Sequence, residues 1–290
     1  MDAALARSAI HRYERPADVA DAYRLLADAG DAARVVGGGT DLALNSPAGV
    51  TTLIDLARLP LAYVGHRDGR IAIGATTTLA EMEEDPIVAG LAGGLLGNVL
   101  GHVGSHALRN VATIGGHLAR GHHSDLAPAL LVLDADVRVF DGVEHVVPFA
   151  DLYHRGWQSR PMVLTEVTLP FPEHTLASGF VRFSRTTFDY AILNCAVALH
   201  VAADSTEVVE FARVAVGETP ALARRVSEVE HFLTGRCLEP DTIDAAAALA
   251  QQHVVTGGDL RASAAYRHHL VGVGVRRALK IAAGIPEVEP

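Results

Sequence analysis

An α+β fold is what this sequence predicts, on three observations. Three strand-like runs, Phe180–Ser184, Ala191–Ala202 and Val208–Val216, stand together with turn-rich spacers between them. Two helical runs, Pro240–His253 and Ala262–Ala283, follow those strands instead of alternating with them. Strands grouped ahead of helices build an antiparallel sheet with helices on it, not a doubly wound parallel sheet. The third observation is composition: 290 residues at 49% apolar, with a mean hydropathy of +0.22, supply a sizeable core and exclude a disordered chain.

Taken in order, Pro16–Ala29 reads as a helix with proline at its start, Val19, Tyr23 and Leu26 on one face, and Gly30 as its stop. Arg34–Val36 is a short buried strand feeding the glycine segment Val35–Leu42 (VVGGGTDL), and Thr52–Leu56 is another apolar run. Tyr63–Gly65 and Arg70–Ile73 read as hairpin strands around a turn at His66–Gly69. Thr78–Glu84 and Asp85–Val99 read as helices capped by Thr78 and Asp85, with Pro86 at the first helical position. A second glycine segment, Ala112–Asp125 (ATIGGHLARGHHSD), leads into Ala127–Leu133, read as helix in preference to strand, and then the strand Asp136–Phe140. Met162–Leu169 alternates as a strand and is ended by Pro170 and Pro172, which with Glu173–Thr175 form the best boundary. The long terminal helix places Tyr266, Leu270, Val273 and Leu279 on one face. No internal repeat or low-complexity tract is present.

Charge and cysteine content narrow the function classes. Against 34 acidic residues stand 24 basic ones, a formal net charge of −10, and no basic run carries aromatics. That argues against nucleic acid and anionic membranes as partners. Two cysteines, Cys195 and Cys237, are too few to ligate an iron–sulfur cluster or a structural zinc. Both read as thiols, because the N-terminal residues lack a secretory apolar core; a single disulfide is the other option. No apolar stretch has membrane-spanning length, and a cytoplasmic location is expected.

The glycine segments carry the candidate chemistry. Consecutive glycines let a backbone approach a ligand closely and turn several N–H groups toward one anion. In the first, Gly37, Gly38 and Gly39 supply the concavity, Thr40 a hydroxyl, and Asp41 either accepts from a ribose hydroxyl or braces the loop. The spacing is neither GxxxxGK[ST] nor GxGxxG, and no lysine waits for a γ-phosphate, so P-loop and Rossmann readings fail. By itself the segment reads equally as a tight structural turn. Thr113, Gly115 and Gly116 repeat the logic, and Asp125 either hydrogen-bonds a ligand heteroatom or caps the helix that follows.

These two segments, together with Ser178–Leu199 (SGFVRFSRTTFDYAILNCAVAL) and Arg261–Lys280 (RASAAYRHHLVGVGVRRALK), resemble the FAD-binding medium subunit of the molybdenum hydroxylases. That group includes carbon monoxide dehydrogenase and bacterial relatives of xanthine dehydrogenase, and the resemblance runs through nearly the whole chain in order. It implies an FAD-binding region of the PCMH type in two subdomains, 1–58 and 59–172, followed by a C-terminal α+β domain, 176–290, with a three-stranded antiparallel sheet and helices. By resemblance, Val36, Gly37, Gly38, Gly39, Thr40, Asp41 and Leu42 wrap the FAD pyrophosphate. Ala112, Thr113, Ile114, Gly115, Gly116 and His117 form the second side, and Asp125 meets a ribose or adenine-side polar group. Val103 falls at an apolar contact, Leu164 at a backbone contact to the adenine end, and Arg182 is the nearest counterpart of a lysine usual in the family, though not its chemical equal. The chain departs from the pattern at His117, where Asn is usual, and in a stretch to Asp125 that is one residue short, with His122 and His123 in place of a small turn.

The remaining residue clusters read as ordinary. His102 and His106, followed by His117, His122 and His123, lack a HExxH pattern and read as solvated or flavin-adjacent, not as metal ligands. A covalent histidyl–flavin bond is the alternative role, and no His lies in the first glycine segment. Ser105 sits in no GxSxG elbow, and Glu81, Glu83, Glu84 and Asp85 form a solvated charged face. The resemblance implies an electron-transfer subunit with no acid–base catalyst of its own. A large subunit would hold the molybdenum cofactor, a small subunit the [2Fe–2S] clusters, and FAD here would pass electrons to NAD, a quinone or oxygen. A free-standing FAD oxidoreductase acting on a small molecule or NAD(P)H, and a non-catalytic scaffold subunit, are the competing readings.

Overall fold

The computed structural model describes residues 10–45, 48–154, 160–171, 175–202, 208–219 and 221–286; Pro172, Glu173 and His174 of the expected boundary lie outside them. The chain divides into two units, each assembled from separated stretches. The first comprises Met1–Met82, His106–Arg120 and Asp136–Leu169; the second comprises Glu83–Ser105, Gly121–Ala135 and Pro170–Pro290.

The first unit holds two sheets. Strands β1 (Arg12–Glu14), β2 (Ala33–Val36) and β3 (Thr52–Asp55) form a parallel sheet with β3 in the middle. The helix Val19–Ala29 packs Ala22 against Ala33 and Ile54 and ends at Gly30, whose φ of 54° stops it. It starts three residues later than Pro16 suggests, because the Asp18 carboxylate accepts from the Asp21 N–H at 2.7 Å and fixes the first turn there. Strands β4 (Val64–Arg67), β5 (Arg70–Gly74), β6 (Asp136–Phe140), β7 (Glu144–Pro148) and β8 (Val163–Pro170) form a five-stranded sheet in the order β4-β5-β8-β6-β7. The β4–β5 turn is tighter than expected. It needs only Asp68 and Gly69, at φ 51° and 73°, a pairing that matches strand twist. Glu166 of the central β8 is fully buried and held by the Tyr63 hydroxyl at 2.6 Å and by Arg67 and Arg138 at 3.2 and 3.1 Å.

The second unit is organised by strands β9 (Ala177–Phe183), β10 (Leu193–Val201), β11 (Val209–Gly217) and β12 (Arg224–Arg225), antiparallel in the order β12-β11-β10-β9. The sheet therefore has four strands where three are expected; β12 is too short to leave a periodic signal. The helices Pro240–His253 and Ala264–Ala282 form where expected. Alternation along β10 sends Leu193, Cys195, Val197 and Leu199 into a core shared with Val271, Val275 and Ala278 of the last helix. The wholly buried helix Leu126–Val132 also packs on β10 and β11.

One expected helix is broken. Asp85 caps Pro86–Gly90 as anticipated, but Ala92, Gly93 and Gly94 adopt φ of 51°, 67° and 88°, and a new helix runs from Leu95 to His102. Left-handed residues cannot continue a right-handed helix. Among the described residues, no helix is long and apolar enough to cross a membrane.

Candidate functional site

The first glycine segment leaves β2 at Val36, whose carbonyl accepts from the Leu56 N–H at 3.0 Å. Gly39 turns the chain at φ 69°, and Thr40, Asp41 and Leu42 begin a short helix, Thr40–Asn45, where a continuing loop is the simpler expectation. Its opening turn has no preceding carbonyls to bond. Among the described residues, the backbone N–H groups of Gly37, Gly38, Gly39, Thr40, Asp41 and Leu42 make no hydrogen bond to the chain. A consecutive run of open donors suits an anion with several oxygens. Asp41 braces the segment: its Oδ1 accepts from Asn45 at 2.9 Å and pairs with Arg120 at 3.2 Å.

The second segment is also helical, over Ile114–Arg120, and its donors are used. Ile114 N–H donates to the Thr77 carbonyl at 3.0 Å, Gly115 N–H to Ala75 at 2.9 Å, Gly116 N–H to Thr113 Oγ1 at 3.2 Å and His117 N–H to the Thr113 carbonyl at 2.9 Å. Ala75 N–H in turn donates to Thr165 of β8 at 2.9 Å, so this segment hangs from the five-stranded sheet beside Leu164, which pairs with Val139.

The two segments meet backbone to backbone. A Cβ on Gly38 would overlap the Val111 carbonyl oxygen, and one on Gly37 would overlap the Thr113 hydroxyl. These glycines are needed first for that approach. The first unit thus gathers Val36 to Leu42 and Ala112 to His117, and Leu164 lies in β8 next to Thr165, the residue that anchors Ala75.

The other candidates belong to the second unit. Val103 closes the helix Leu95–His102 and is buried. Asp125 and Arg182 form a buried ion pair, Nε to Oδ2 at 2.9 Å; Arg182 also donates to Ser184 Oγ at 2.7 Å and to the Asp189 carbonyl. Asp125 does not cap the helix that follows. Ser124 does, accepting from the Ala127 N–H at 3.0 Å. His123 stacks on Tyr190 with ring centroids 4.5 Å apart, and His102 lies 5.9 Å from Phe180. Arg120, Thr77 and Asn194 are participants the motif reading passes over. Asn194 alone left a signal, as a polar residue inside the apolar run Ala191–Leu199.

A mixed two-unit fold with a glycine-built run of open donors is the kind of frame that suits an anion with several oxygens. Residues 8–172 match the family described as the FAD binding domain in molybdopterin dehydrogenase, and residues 178–282 match the CO dehydrogenase flavoprotein C-terminal domain. The chain belongs to this molybdopterin dehydrogenase FAD-binding family. It is 32% identical over 281 residues to the 6-hydroxypseudooxynicotine dehydrogenase complex subunit alpha of Paenarthrobacter nicotinovorans, covering 90% of each chain. It is 28% identical to the carbon monoxide dehydrogenase medium chain of Afipia carboxidovorans, over 92% of this chain and 95% of that one. Among solved structures, a carbon monoxide dehydrogenase from Hydrogenophaga pseudoflava lacking the Mo-pyranopterin moiety superimposes with a TM-score of 0.88 at 26% identity, over 95% of this chain and 98% of that one.

Proposed function

We propose that this chain is the FAD-carrying electron-transfer subunit of a molybdenum hydroxylase-type oxidoreductase. The observation that carries the reading is the open N–H run from Gly37 to Leu42, packed against Ala112–Gly116. A pyrophosphate offers several anionic oxygens to such a run, and the glycines keep side chains out of its way. Val36 to Leu42 bind that pyrophosphate, and Ala112 to His117 close the second side. Asp125 accepts from a ribose or adenine-side donor, while Val103, Leu164 and Arg182 complete the contacts. Bound FAD supplies the redox chemistry, and the protein orients it and sets its electrostatics. No side chain of this chain needs to act as general acid or base.

The molybdenum cofactor and the [2Fe–2S] clusters belong to a separate large and small subunit. Cysteine content supports that division, since Cys195 is buried in the β10 core and its thiol is pushed well above the ordinary range by burial. The parts of the chain are 1–58 and 59–172 for FAD and 176–290 for the C-terminal domain, and the complex works in the cytoplasm.

The test is to purify the full chain with the chains that accompany it, and to record absorption, metal content and mass. One flavin per chain, with iron–sulfur and molybdenum on the companions, is the expected result. A colourless chain that still assembles would leave only a scaffold, and steady turnover by the chain alone would favour a free-standing oxidoreductase.

A further inference from the structure

The four-stranded sheet carries a polar row across three adjacent strands. Arg182 of β9, Asn194 of β10 and Gly217 of β11 are direct cross-strand partners. Asn194 is fully buried, and a buried amide is costly unless its hydrogens are bonded. Its Nδ2 donates to Asp125 Oδ1 at 2.9 Å and lies 3.2 Å from the Ser124 carbonyl. Both partners are acceptors, which fixes which end of the amide faces them. Gly217 is required opposite it, because a Cβ there would overlap Asn194 Oδ1.

The next residue, Glu218, completes the grip. It is buried and held at φ 61°, a conformation uncommon for a residue with a side chain. Its Oε1 accepts from the Ser124 N–H at 3.2 Å, and its Oε2 lies 2.8 Å from His123 Nδ1. His123, itself at φ 56°, stacks on Tyr190, and the Arg261 guanidinium lies 5.0 Å from the centre of that same ring. His123, Ser124 and Asp125 are therefore held at imidazole, N–H, carbonyl and carboxylate by neighbouring strands. Two left-handed residues bonded to each other mark a loop whose shape the surrounding structure dictates.

We propose that Asn194 and Glu218 are positioning residues for FAD, acting through Ser124 and Asp125. The inference rests on the reading of this chain as an FAD-binding subunit. Arg182 and Asn194 each occupy one oxygen of the Asp125 carboxylate, and a carboxylate retains further lone pairs for a ligand hydroxyl or amino group. With both oxygens anchored, the direction of the remaining lone pairs is set before the cofactor arrives. Releasing Asn194 frees the carboxylate to rotate, and releasing Glu218 frees the backbone that carries it.

The test uses the full chain purified with its accompanying chains, stripped of flavin and titrated with FAD. Thermal unfolding of each flavin-free variant is followed in parallel. Asn194→Ala is expected to weaken FAD binding about tenfold, the effect of one hydrogen bond to a charged group. In an Asp125→Ala background the same substitution is expected to change FAD affinity no further. Glu218→Ala is expected to weaken binding, whereas Glu218→Gln, which can still accept from the Ser124 N–H, restores it; this pair carries the test should Asn194→Ala fail to fold. Unchanged FAD affinity in both alanine variants, or losses that simply add in the double variant while the unfolding midpoint falls, overturns the proposal. Wild-type chain that takes up no FAD removes the underlying reading and this inference together. Wild type that binds FAD beside variants that bind it equally removes the inference alone.

Discussion

The two glycine segments look alike in sequence and do different physical work. Among the described residues, the backbone donors around Gly37–Leu42 stay open, while around Ile114–His117 every N–H is committed to Thr77, Ala75 or Thr113. Glycine in the first segment lets Val111 and Thr113 come close, and on the proposed reading it also clears a face for the cofactor. In the second it lets a helix press against Ala75, where a Cβ on Gly115 would sit 2.7 Å from the carbonyl oxygen and 2.9 Å from the Ala75 methyl. A glycine-rich stretch thus marks close approach, and the hydrogen-bond inventory says what approaches.

The sharpest way to break this contrast is at the contact itself. Gly38→Ala forces a methyl into the Val111 carbonyl, where backbone on both sides has little room to yield. A loss of about 3 kcal/mol is expected, seen as a fall of roughly 6–12 °C in the unfolding midpoint, with loss of bound flavin. Gly115→Ala is expected to cost less, about 1–2 kcal/mol, and to disturb stability more than FAD affinity. Equal damage to FAD binding from Gly115→Ala, at unchanged stability, would reverse the roles given to the two segments. Thr113→Val removes the acceptor for Gly116 N–H and is expected to cost about 1 kcal/mol, while Thr113→Ser stays near wild type in the same melts.

A pH scan probes the support beneath the second segment. Tyr63 exchanges two hydrogen bonds of 2.9 Å with Thr77 Oγ1, and Thr77 holds Ile114. Burial, and then its bond to Glu166, pushes the Tyr63 phenol from 10.0 up to about 12. The neutral phenol is the form the folded chain favours. Its contribution is complete below pH 10 and is lost as pH rises through about 12. Tyr63→Phe is expected to flatten that part of the stability profile; an unaltered slope would mean the titration lies elsewhere. The smallest effect is expected for Asp41→Asn. Its pair with Arg120 is partly exposed, so a loss of about 0.5–1 kcal/mol, shrinking with added salt, should appear in unfolding at low and high ionic strength.

Legibility followed length and burial. Pro240–His253 announces itself by proline at its first position, and Ala33–Val36 by an apolar run before glycine. Strand β7 is mostly exposed, and β1 and β12 have three and two residues, too few for a period to show. The helix Ile114–Arg120 was hidden by its own glycines, and Thr40–Asn45 by the three glycines just before it, because glycine disfavours helix when nothing packs against it. Within the candidate site, residue types at Gly37–Leu42 and Thr113–Gly116 could be read from order alone. Partnerships could not: Asp125 meets Arg182 across 57 residues and Asn194 across 69, and only strand pairing brings them there.

The division of the chain has a consequence for synthesis on the ribosome. The second unit collects Glu83–Ser105 and Gly121–Ala135, then waits for Pro170–Pro290. Helix Leu126–Val132 is buried along its whole length, and its strands β10 and β11 are translated long after it. A nascent chain halted near residue 170 would therefore display that apolar helix with only the helix Leu95–His102 to cover it. Such an intermediate is the kind that chaperones bind, and the late sheet is what releases it.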